Sequence, residues 1–180
     1  IQSSECWEMN KPLKVIYIAS LSHSGSTLLG MMLGTHPGTV CLGEILPSLL
    51  YGKGQSDTCT CGKQIDTCPV WNEFHDLKIK PGNYAATYVN LADKATEAGK
   101  KTLVDCSKQI TGLTPLLNNE RFEIRVIWLL KDIRSFVHAQ IQREKRPELM
   151  KKDGLRRIDT ASRLYNIIQW RYGNGRILHF

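Results

Sequence analysis

Four short apolar runs, separated from one another by helical sequence, constrain this chain more than any other feature. They cover residues 15–19, 39–42, 102–104 and 124–130. Runs of this length, rich in β-branched side chains, read as buried strands. Residues 27–34, 44–51, 84–99, 110–119 and 131–145 read as the helices between and after them. Over 84–99, Tyr84, Tyr88, Leu91 and Ala95 recur about one turn apart, and Gly99 follows as a stop. Strands alternating with helices predict an α/β fold of three layers, a parallel sheet flanked by helices. Residues 105–108 read as a loop at the end of the third strand. Helical spacing returns over 155–172 and loosens at Gly173 and Gly175. Ligands bind such sheets at the carboxyl ends of the strands. The loops after residues 19, 104 and 130 are therefore expected to share one edge.

A chain of 180 residues suits one domain, here spanning 1–180, with a core that needs no staples. Residues 52–71 read as a loop-like insertion packed on it, with Gly52, Gly54, Gly62, Pro69 and the cluster Cys59, Cys61 and Cys68. Hydrophobic residues at 42% against 23% charged exclude a disordered chain. No apolar run approaches the roughly 20 residues of a membrane-spanning helix. Residues 1–12 are polar and do not read as a signal peptide. A cytoplasmic location is the expectation, with a secretory lumen as the alternative. The net charge of +7 favours anionic partners, unless it only solvates a basic surface. No basic run interleaved with aromatics and no zinc-finger or RNA-binding signature is present, so nucleic acid is not expected. A small polyanion accounts for the charge equally well.

Ser22-His23-Ser24-Gly25-Ser26-Thr27 lies between the first strand and the first helix. A turn of small residues leaves backbone N–H groups facing outward, and the helix start adds positive partial charge. The hydroxyls of Ser24, Ser26 and Thr27 are further donors. The alternative is an ordinary strand–helix turn with a serine cap. A nucleoside-triphosphate loop would read GxxxxGK[ST]; its lysine and first glycine are both missing, which disfavours a small-molecule kinase. No GxGxxG is present, which removes the dinucleotide fingerprint.

His23-Ser24-Gly25-Ser26-Thr27-Leu28-Leu29 resembles the 5′-phosphosulfate loop of sulfotransferases that use 3′-phosphoadenosine 5′-phosphosulfate (PAPS). Leu129-Leu130-Lys131-Asp132-Ile133-Arg134, continued to Arg143, is similar to their 3′-phosphate motif. His36-Pro37…Gly43-Glu44 and Cys59-x-Cys61-Gly62…Cys68-Pro69-x-Trp71 resemble bacterial members and the related tyrosylprotein enzymes. Val104 to Lys108 is similar to a further family segment. The resemblance runs from about residue 13 to 146, with a weaker helical match beyond. It implies a P-loop-like sulfotransferase fold, PAPS as donor, a hydroxyl or amine acceptor and no required metal. It also implies a C-terminal portion completing the cofactor lid, which the ending His179-Phe180 does not supply. A non-catalytic binder of PAPS or its product is the alternative of another class.

Sulfuryl transfer needs acceptor and leaving oxygens held in line, charge stabilised on the leaving phosphate, and a base for the acceptor proton. The resemblance puts the base at Glu44; the bland alternative is an acid favouring the next helix start. His75 and His138 are weaker candidates. Lys108 either touches the leaving phosphate or the sulfuryl oxygens, or is an exposed lysine. The resemblance assigns cofactor binding to Ser22, His23, Ser24, Gly25, Ser26, Thr27, Leu28, Lys131, Ser135 and Arg143. Three positions depart from the family pattern. His23 stands where Lys or Arg is usual, and an imidazole carries only part of a charge at neutral pH. Lys131 replaces an arginine and loses its bidentate fork. Ala139 replaces a serine, for which Ser135 is the expected substitute. Weakened 3′-phosphate recognition follows. The CxC…C cluster is not a standard zinc spacing, since only His75 offers a fourth ligand. A disulfide between two of the three and reduced packing thiols are the other readings. Trp71 reads as core.

Overall fold

The computed structural model describes residues 12–51, 58–74, 77–144 and 163–180. Four parallel strands form one sheet in the order β2-β3-β1-β4: β1 (Leu13–Ser20), β2 (Thr39–Gly43), β3 (Thr102–Lys108) and β4 (Phe122–Leu129). Helices flank it: α1 (Ser26–Gly34), α2 (Ile45–Tyr51), α3 (Tyr84–Glu97), α4 (Ile110–Leu117), α5 (Ile133–Glu144) and α6 (Arg163–Leu178). The α/β architecture is the one expected from the alternation of apolar runs and helical spacing. No helix among the described residues is long and apolar enough to cross a membrane.

The chain divides into two compact units. Among the described residues the first comprises 12–19, 26–51, 58–74 and 77–127. Its β3 lies between β1 and β2, pairing Val15 with Leu103 and Val40 with the same residue from the other side. These three valine and leucine side chains are buried, as parallel strands covered on both faces require. Helix α1 packs on β2 and β3, and α2 packs on β3. On α3, Tyr84, Tyr88, Leu91 and Ala95 are all buried, so its helical spacing marks the core-facing stripe. Cys59, Cys68, Val70, Trp71 and Phe74 join the same core, and the cysteine-bearing segment is packed rather than loose.

Strand β3 is longer than its apolar run. Residues 105–108, expected as a loop, continue the ladder to Lys108, which pairs in register with Ala19. Asp105 stays in the strand because the amide of Ser107 donates to its Oδ1 at 2.7 Å. A buried carboxylate with a local donor is compatible with a strand that its polarity argues against.

Among the described residues the second unit comprises 20–25, 128–144 and 163–180. Within it α5 packs on α6. Trp170 Nε1 donates to the carbonyl of Lys131 at 2.7 Å, and Trp128 Nε1 donates to Asn174 Oδ1 at 3.3 Å. These bonds hold α6 against the end of β4. The loosening expected at Gly173 and Gly175 does not occur, since α6 runs through both. A Cβ at Gly173 would stand 2.4 Å from a methyl of Leu21, so glycine here permits close approach rather than ending the helix.

Candidate functional site

In the first unit the register shift between Cys41 and Gly43 ends β2. Gly43 has φ +65°, a left-handed conformation that costs glycine little, and turns the chain into Glu44. The Glu44 carbonyl then accepts from the Ser48 amide at 3.0 Å and from the Ser48 hydroxyl at 2.8 Å, opening α2. The Leu46 amide, which has no partner within its helix, donates to Ser107 Oγ at 2.9 Å. The start of α2 is thereby fixed to β3, one residue from Lys108.

Lys108 forms an ion pair with Glu44 Oε1. Its side chain is 13% exposed and that of Glu44 32%, so the pair sits at the rim of the protein interior. Lys108 has φ +68°, rare for a residue with a side chain. Glu44 also lines a cavity of about 310 Å³, together with Thr27, Met31, Gly43, Ser48, Trp71 and Cys106 among others. Thr27, the last residue of the expected anion loop, thus shares one cavity with Glu44, the expected base.

Beneath this rim lies a group that sequence reasoning did not single out as functional. Asp105 is fully buried, and burial pushes its carboxyl up to about 7, against the Ser107 hydroxyl and amide and the hydroxyls of Tyr88 and Tyr84, which favour the charge. Among the described residues, Asp105 Oδ2, Tyr84 Oη and Tyr88 Oη have no hydrogen-bond partner in good geometry. Tyr17 Oη donates to the carbonyl of Gln109 at 2.5 Å. Burial, followed by the charge of Asp105, holds all three phenols above their ordinary range. A perturbed carboxyl surrounded by phenols from β1 and α3 leaves no trace in sequence spacing.

In the second unit the turn 21–25 carries the first part of the anion loop. His23 has φ +65° and Gly25 φ +97°. Ser22, His23 and Gly25 are exposed, and Ser24 is half-buried. The Ser24 amide does not face outward, because it donates to the Leu21 carbonyl at 3.3 Å. The row of outward amides expected here is interrupted at that residue. Lys131 Nζ donates to the His23 carbonyl at 2.8 Å. The strand end of the expected 3′-phosphate motif therefore meets the expected 5′ loop directly. Asp132 caps α5: its Oδ1 accepts from the amides of Arg134 and Ser135 at 3.1 and 3.2 Å. The Arg134 side chain and the Ser135 amide hold its carboxyl below the usual range.

Ser135 is exposed near the start of α5. Arg143 is half-buried in its last turn, about 15 Å along the axis from the first residue. In the first unit Ser26 is buried, with its carbonyl 3.5 Å from the Cys106 thiol, while Thr27 and Leu28 are exposed at the start of α1. His138 is exposed on α5 and meets Gln142 at 3.3 Å. His75 lies outside the described residues. No protein-family model, curated protein or solved structure matches this chain.

Proposed function

We propose that this chain transfers a sulfuryl group from PAPS to an acceptor hydroxyl or amine, with Glu44 as general base. The observation that supports this reading most is the cavity shared by Glu44 and Thr27, with Lys108 paired to the base. A cavity of about 310 Å³ is at the lower end of small-molecule sites. In the reaction the acceptor oxygen attacks sulfur while the bond from sulfur to the phosphate oxygen breaks. The acceptor proton passes to the Glu44 carboxylate, and 3′-phosphoadenosine 5′-phosphate leaves. Lys108 is the cation available to the sulfuryl or phosphate oxygens on that rim. The first turn of α1, with Thr27 on the cavity, supplies donors for the 5′ end. Ser135 and Arg143 on α5 are the proposed 3′-phosphate donors.

A non-catalytic binder of the same nucleotide is the second reading. The contact that favours it is Lys131, whose ammonium is engaged by the His23 carbonyl. Transfer of radiolabelled sulfate from PAPS to a panel of hydroxyl and amine acceptors, together with calorimetric titration of 3′-phosphoadenosine 5′-phosphate against ATP, decides between them. Catalysis predicts labelled product, lost in Glu44→Gln, with tight binding of the bisphosphate in both proteins. Binding without any labelled product would leave the binder. Preference for ATP would remove both.

A further inference from the structure

The segment 58–74 builds a second site at the wall of the same cavity. An isolated antiparallel bridge joins Thr58 and Gln64. Inside it the Cys59 amide donates to the Lys63 carbonyl at 2.9 Å, and the Gly62 amide donates to the Cys59 carbonyl at 2.9 Å. The turn is completed at Gly62, with φ +84°. This tight knuckle presents Cys59 and Cys61 toward one side. The 3₁₀ turn Ile65–Thr67 then ends at Cys68, returning a third thiol to the same point.

The three Sγ atoms all lie within 4.8 Å of one another, and those of Cys61 and Cys68 are 3.7 Å apart. Two sulfurs on one tetrahedral zinc ion, each about 2.3 Å from the metal, stand about 3.8 Å from each other. A disulfide would bring them to about 2.05 Å. All five cysteines among the described residues are free thiols. Packing alone does not require three sulfurs to converge, and it does not place one of them, Cys61, in solvent. We propose that Cys59, Cys61 and Cys68 bind a thiophilic divalent metal ion, zinc in the first instance, with the fourth position taken by water or another donor.

The surroundings suit that role. Cys61 is the exposed corner of the trio, open to an arriving ion, while Cys59 and Cys68 are buried behind it. Thr60, inside the knuckle, accepts the Cys41 amide on its Oγ1 at 3.2 Å. Cys59, Thr60, Ile65 and Trp71 line the cavity that Glu44 faces. The ion would hold that wall in place without touching the reacting atoms. This inference does not rest on sulfuryl transfer, and its test does not read activity.

The test is metal analysis of the full chain, purified with reductant and zinc and then desalted. One zinc ion per chain is expected. Replacement by cobalt(II) should give the near-ultraviolet thiolate-to-cobalt charge-transfer band and the visible bands of a tetrahedral ion. Cys61→Ser, at the exposed corner, should lose the ion and the charge-transfer intensity while keeping its far-ultraviolet circular dichroism. Cys41→Ser, outside the trio, should retain both. Zinc-free wild-type protein after this preparation would overturn the proposal. So would a Cys61→Ser protein that holds zinc as tightly as wild type, or a cobalt spectrum without the thiolate band.

Discussion

Two carboxylates, one just past the end of β2 and one on β3, belong to the first unit and are treated in opposite ways. Gly43 pairs in register with Asp105, so Glu44 begins one residue beyond the position opposite that acid. Glu44 is a third exposed, meets Lys108, and lines a cavity. Asp105 is sealed among Tyr17, Tyr84 and Tyr88, with one oxygen bonded to the Ser107 amide and the other unpaired. A carboxyl near 7 in a structure is ordinarily the first place to look for a base. Here that group cannot reach a substrate, and the group that can is the one bound to a cation. Access and perturbation have been separated, and the proposed chemistry follows access.

The comparison breaks most plainly at Glu44. Glu44→Gln is expected to lower kcat by roughly 10²- to 10⁴-fold, the usual worth of a positioned base. Its thermal stability should stay near wild type, because the side chain is partly in water. Asp105→Asn should do the reverse. The folded chain holds the Asp105 proton where the unfolded chain has released it. The contribution of Asp105 to stability is therefore full below about pH 4, declines as pH rises, and is lost above about 7. The loss across that window is on the order of 4 kcal/mol. Denaturant titrations at pH 4, 6 and 8 should show the decline in wild type and its absence in Asp105→Asn. A flat wild-type profile would show that the buried acid ionises as easily as an exposed one.

The same pair of acids marks what the sequence could and could not express. The sheet was legible because apolar runs at residues 15–19, 39–42 and 124–130 are short and bounded. The α3 core stripe was legible because Tyr84, Tyr88, Leu91 and Ala95 keep one period. Glu44 was reached through its neighbours, a His-Pro and a glycine, together with the family resemblance. Asp105 was not, because its partners arrive from β1 and α3, far away along the chain. Its polarity also made the end of β3 read as a loop. Gly173 misled for a related reason: what decides its role is Leu21, which spacing cannot bring near. The three cysteines lacked a zinc spacing, since Cys68 returns through a 3₁₀ turn that no regular interval encodes. Local periods survive in sequence; convergence of distant segments does not.

A smaller effect is expected from the cation that distinguishes the two acids. Lys108→Gln removes the charge and shortens the side chain by one atom, so it leaves Glu44 without a cation, as Asp105 is. On the proposed reaction kcat should fall on the order of a hundredfold, as for loss of one oxyanion-type donor. Stability should change by no more than about 1 kcal/mol, the usual limit for a partly exposed ion pair. Steady-state rates beside melting curves read both. An unchanged kcat would mean that the pair orients nothing and that exposure alone separates Glu44 from Asp105.

The smallest expected effect tests what surrounds Asp105. Tyr88 is fully buried on α3, with its ring edge-on to Tyr84 at 5.8 Å and to Phe122 at 5.5 Å. Its hydroxyl makes no good hydrogen bond, yet its dipole favours the charged form of Asp105. Tyr88→Phe removes an unsatisfied buried hydroxyl and keeps the ring, so stability at pH 4 should stay within about 1 kcal/mol of wild type. At higher pH the carboxylate has lost a favourable dipole. Its proton is then held more tightly, and the midpoint of the stability decline moves upward in pH. Denaturant titrations of Tyr88→Phe across the same pH series measure that midpoint. If it does not move, burial alone sets the Asp105 proton affinity, and the phenols are packing around the acid rather than partners to it.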